Sequence, residues 1–211
     1  SYMETDEKHN NYFVYFNFFV FSMLLLVMSS NFLVMFFGWE LVGLSSYLLI
    51  SFWSKKPAAA KAGNKAFILN RVGDFGFLIG LMIILNTFNT FDFYTVLKSA
   101  SDVPENTITL ITLFLLLGAF GKSAQFPLFS WLPDAMEGPT PASALIHAAT
   151  MVTAGVFMLV RISPILQHSK IAGMVIISFG LITALLAAFS AINQYDIKKV
   201  LAYSTLSLIH I

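Results

Sequence analysis

The chain has 211 residues, of which 57% are hydrophobic and 11% charged, with a net charge of +1. Soluble domains carry about 25% charged residues, so this is an integral membrane chain, and its near-neutral balance offers nothing to nucleic acid. The absence of cysteine excludes disulfides, iron–sulfur ligation and cysteine-based zinc sites within the sequence.

Residues 1–10 form a polar stub that opens on Ser1, without an initiator methionine, a charged signal region or a cleavage site. The chain therefore reads as a piece of a longer protein. Its 22 phenylalanines suit an AT-rich genome such as an organelle's. About 20 apolar residues at 1.5 Å rise cross the ~30 Å hydrocarbon core of a bilayer. Runs of that kind predict helices over residues 11–28, 31–53 and 66–88, then a polar stretch over 89–106. A fourth run starts near residue 107 and reaches 126. There Pro127, Pro133, Pro139 and Pro141 rule out one regular helix. Further helices are expected over 142–161 and 171–192, and a seventh begins near residue 196. The fold class is an all-α, polytopic transmembrane bundle with one discontinuous span.

Lys55, Lys56, Lys61 and Lys65 cluster in the short loop after the second helix, whereas the 89–106 loop carries Asp92, Asp102 and Glu105 against Lys98. The positive-inside rule puts the first loop on the matrix or cytoplasmic side, and Lys198 and Lys199, four crossings later, return there. Five crossings per unit make the sixth helix enter in the sense opposite to the first, as an inverted repeat requires.

Charges within the spans carry the functional argument. Glu40 sits in the apolar run 31–53, where a carboxylate costs about 2.5–3.5 kcal/mol and marks an ion path or proton relay. Arg71 and Asp74 lie three residues apart on one face of the third helix and also fit a structural ion pair. Lys122 stands just before the proline cluster, between Gly118, Gly121 and Pro127. At a helix break, water and freed carbonyls can solvate its ammonium while it exchanges a proton. His147, two turns into the fifth helix, reads alone as a hydrogen-bonded core residue, but beside these neighbours its titration range suits proton passage. Arg161 ends its helix as an interfacial anchor. No Walker motif, dinucleotide fingerprint, nucleophile elbow or zinc-protease motif is present.

The segments GWELVGLSSYLL, NRVGDFGF, GKSAQFPLFSWLPDAMEGPTPASALIHAATMVTAGVFMLVR and DIKKVLAYST closely resemble the chain 5 family of NADH:ubiquinone oxidoreductase, the distal antiporter-like subunits of respiratory complex I. The resemblance covers nearly all of residues 1–205. It implies a first five-helix repeat over 11–165 with a broken helix, and the first two helices of an inverted second repeat over 166–211. Residues 1–10 correspond to a loop internal to the family, and the remainder of the second repeat is missing. It further implies proton translocation through Glu40, Arg71, Asp74, Lys122, His147 and Lys198. Glu40 would pair with Lys122, Trp131 would pack near the site, and Lys198 would lead toward the next channel.

Cofactors are expected only in other subunits of such a complex: NADH, FMN, iron–sulfur clusters and ubiquinone. Partners are the other membrane-arm subunits, especially the adjacent antiporter-like chain 4, a second chain carrying the rest of the fold, and phospholipid. The expected location is the mitochondrial inner membrane. A relative, the large subunit of Mrp-type sodium/proton antiporters, shares the Glu and Lys sites but tends to show EAPTP and VKAG. This chain has Glu137-Gly138-Pro139-Thr140-Pro141 and Thr153 instead.

Overall fold

The structure is a computed structural model that describes residues 3, 4 and 6–209, with Ala148 and Ala149 described by their backbone alone. Ser1, Tyr2 and Thr5 of the polar stub, and His210 and Ile211 of the seventh helix, lie outside the described residues. Helices α1 (His9–Val27), α2 (Phe32–Ile50), α3 (Pro57–Phe88) and α5 (Glu105–Lys122) form antiparallel crossings. A short α4 (Phe93–Lys98) precedes α5. After it come two 3-10 turns, Leu128–Trp131 and Asp134–Glu137. Next are α6 (Thr140–Ala144), a π turn (Leu145–Ala149), α7 (Met151–Arg161), α8 (Ser163–Leu166), α9 (Lys170–Ile192) and α10 (Ile197–Ile209). Among the described residues, six helical stretches are long and apolar enough to cross a membrane, with α6 to α7 counted as one. No strand occurs among the described residues.

Several boundaries differ from expectation for identifiable reasons. The third span starts at residue 57 rather than 66, because Pro57 is preset for the first helical turn and an alanine run follows it. Lys61 and Lys65 therefore ride on α3, and only Lys55 and Lys56 remain in the loop. The fourth span stops at Lys122, four residues short of the predicted end. The fifth is interrupted at Leu145–Ala149 instead of running unbroken from 142 to 161. The 89–106 stretch holds α4, capped by Asp92, whose side chain accepts from the Thr95 N–H at 2.8 Å. Over the described residues α10 runs 13 positions, shorter than a full crossing.

Small residues set the packing of α3 on α5. A Cβ on Gly73 would lie 3.0 Å from the Gly121 Cα and 3.0 Å from the Leu117 carbonyl oxygen, and one on Gly118 would lie 2.9 Å from the Phe77 Cβ. Without a hydrophobic drive between helices in lipid, such close backbone approach supplies the association through van der Waals contact. Arg161 closes the opposite end. Its guanidinium donates to the carbonyls of Val27 (3.1 Å), the last residue of α1, and Ser29 (2.6 Å), just beyond it. It also lies 4.2 Å over the Phe93 ring. The expected anchor is thus a clasp joining α1, α4 and α7.

Gly73→Ala forces two backbones apart and should lower stability in detergent by about 1–3 kcal/mol, read as several degrees of Tm. Gly173→Ala, on α9 with nothing within 4 Å of the added carbon, should be neutral in the same measurement.

Candidate functional site: a four-charge cluster between α2, α3 and α5

The site forms where α5 stops. Its last residue, Lys122, is fully buried, and its Nζ lies 3.4 Å from Asp74 Oδ2, itself 3% exposed. A buried ammonium needs both a counter-charge and space. Space comes from Gly43 on α2, where an added Cβ would sit 2.7 Å from Nζ. The other carboxylate oxygen, Asp74 Oδ1, accepts a hydrogen bond from Trp39 Nε1 at 2.9 Å. Trp39 is fully buried and stands edge-on to Phe77, with centroids 5.1 Å apart.

One residue along α2, Glu40 Oε2 forms an ion pair with Arg71 Nη1, and Arg71 also stacks over Phe67 at 4.7 Å. This pair is more open, with the arginine side chain 41% exposed and the glutamate 22%. The expected pairing of Glu40 with Lys122, and of Arg71 with Asp74, is therefore crossed. Lys122 meets Asp74, and Arg71 meets Glu40. The reason is the register of α2 on α3, which aims Glu40 at Arg71 while Trp39 and the gap at Gly43 leave Asp74 to the lysine.

The break after Lys122 is satisfied group by group. Trp131 Nε1 donates to the Gly121 carbonyl at 3.0 Å, the Gln125 N–H to the Phe120 carbonyl at 3.0 Å, and the Phe126 N–H to Thr183 Oγ1 at 2.9 Å. Ser123 Oγ donates to the Val152 carbonyl at 2.7 Å, tying the break to α7. Trp131 therefore both packs and caps.

His147 lies on the π turn, half-buried, with no hydrogen-bond partner for Nδ1 among the described residues. No described ion pair or hydrogen bond joins it to Lys122. Lys198 sits in the first turn of α10, half-buried, outside the four-charge cluster, and none of the described ion pairs reaches it. Lys65, on α3, pairs with Asp134 of the second 3-10 turn at 2.7 Å. Sequence reasoning missed Trp39, Gly43 and Asn70. Asn70 is 2% exposed, donates to the Ala66 carbonyl and keeps Oδ1 unpartnered. The only sequence signal for Asn70 is a polar side chain one turn before Asp74. Among the described residues no three His, Cys, Asp or Glu side chains gather to hold a metal ion.

Residues 29–210 match the family described as NADH:quinone oxidoreductase/Mrp antiporter, TM. NADH-ubiquinone oxidoreductase chain 5 of Rhizopus stolonifer is 54% identical over 98% of the chain. NADH-quinone oxidoreductase subunit L of Neisseria meningitidis serogroup A is 53% identical over 96%. The chain spans about a third, 32%, of the length of each. Among solved structures, a chain of the Mrp complex from Dietzia sp. DQ12-45-1b is similar at TM-score 0.91 and 32% identity, covering 96% of this chain and 22% of that one.

Lys122→Met strands Asp74 as a buried anion and should cost about 3–5 kcal/mol of stability in micelles. Lys122→Met combined with Asp74→Asn, which still accepts from Trp39, should recover most of that loss. Denaturant titration of both variants measures the difference.

Proposed function

The chain belongs to the NADH:quinone oxidoreductase/Mrp antiporter transmembrane family, and on that premise we propose that it supplies the first half-channel of a proton-translocating subunit of respiratory complex I. The observation that carries this reading is the buried Lys122–Asp74 pair at the end of a broken span, with Glu40–Arg71 beside it.

The charges work against one another. A proton reaching Asp74 removes the counter-charge that holds the Lys122 ammonium. A proton leaving Lys122 strands an anion that attracts the next one. Glu40 acts on the same pair at one remove: when it is protonated, Arg71 is freed to compete for Asp74. His147, with an unpartnered ring nitrogen beyond the break, is the next station. Lys198, in the first turn of α10, would lead on toward the neighbouring channel.

In this reading residues 11–165 form the first repeat and 166–211 the first two helices of the second. NADH oxidation and quinone reduction take place in other subunits, which hold the FMN and iron–sulfur clusters. The adjacent antiporter-like chain 4 is the neighbour, and the location is the mitochondrial inner membrane, in keeping with the chain 5 relatives. A second reading, sodium/proton exchange, draws on the likeness to the Dietzia Mrp chain.

In the intact assembly, Glu40→Gln and Lys122→Ala should each abolish or strongly impair coupled pumping, measured as the proton-to-electron ratio. An unchanged ratio and turnover in both would overturn the proposal. Sodium-dependent exchange without NADH or quinone would favour the second reading.

A further inference from the structure

Asp74 has two cations within its choice: Arg71, three residues back on the same face of α3, and Lys122 across from it on α5. With Glu40 as the second anion, the cluster has two complete pairings. The structure holds one of them, and a residue that carries no charge accounts for the choice. Trp39 Nε1 donates to Asp74 Oδ1 at 2.9 Å and leaves Oδ2 to Lys122 at 3.4 Å. The indole is a donor only and does not titrate, so this bond persists whether or not Lys122 carries its proton. The ring is fully buried and edge-on to Phe77 at 89°, so the donor is fixed in direction. The next residue, Glu40, draws Arg71 away. Adjacent positions on α2 thus sort the two charges of α3, and Gly43, one turn on, leaves the lysine its place.

We propose that Trp39 is a positioning residue that keeps Asp74 as the partner of Lys122 and away from Arg71, and so sets the pH range over which the site passes protons. The inference rests on the proton-translocation reading above. The groups facing Asp74 are Arg71 on its own helix, Lys122 on α5, and Glu40 on α2 through Arg71.

The test is the pH profile of proton translocation in the intact assembly, compared between two variants. Trp39→Phe keeps the ring against Phe77 but removes the donor. It should displace the profile by more than about one pH unit: about one unit from the lost hydrogen bond to a charged group, and the rest from Arg71 taking up Asp74. Trp39→Gln keeps an uncharged N–H donor without the ring and should leave the profile in place even where the amount of assembled protein falls. In an Arg71→Gln background, where no second cation competes, the Trp39→Phe displacement should fall to the share of the lost hydrogen bond alone, about one pH unit. A Trp39→Phe profile superimposed on the parent overturns the proposal, as does a displacement of equal size in the Arg71→Gln background. Should Trp39→Phe not assemble, a displaced Trp39→Gln profile overturns it alone. Lys122→Ala separates this result from the larger reading: pumping lost there, with the Trp39→Phe profile unmoved, sinks only the positioning role.

Discussion

A buried ammonium is the constraint around which this bundle is built. Lys122 is fully buried, and removing one unit charge from water costs several kcal/mol even after relaxation. Everything within reach answers that cost. Asp74 supplies the counter-charge, Trp39 fixes the carboxylate, and Gly43 leaves the volume that Nζ occupies. The close approach of Gly73 and Gly121 lets α3 and α5 bring Asp74 and Lys122 face to face. Larger residues at those positions would hold the helices further apart, and the pair would lengthen beyond contact.

A second consequence is that regular helix must end where the charge sits. α5 stops at Lys122, and the span formed by α6 and α7 loosens into a π turn at Leu145–Ala149, with His147 upon it. Single π turns within helices are frequent at functional sites, because they free backbone groups and redirect side chains. Here Ser123, Trp131 and Thr183 collect most of what is freed. Among the described residues, Asn70 Oδ1 and His147 Nδ1 are buried without a hydrogen-bond partner.

Much of this was legible in the sequence, for reasons that differ by residue. Glu40, Arg71, Asp74 and Lys122 stand out because a charge in an apolar run is costly at that depth. The proline cluster marked the break for the same local reason. The crossed pairing was not legible, since it depends on the rotation of α2 against α3, and neither helix carries a sharp apolar stripe to report that rotation. Trp39 carries no sequence signal of its own, because its donor function exists only through Asp74, 35 positions away. The π turn at His147 left no trace either, because the residues from Ala142 to Gly155 contain no proline and no interior glycine to announce it.

The most direct measurement is an experimental density map of the intact assembly at a resolution that separates the side chains between α2, α3 and α5. Lys122 Nζ should lie against Asp74 with Trp39 Nε1 on the other carboxylate oxygen, and Arg71 should lie against Glu40. A map with Lys122 on Glu40 and Asp74 on Arg71, the indole turned away from both, would contradict it.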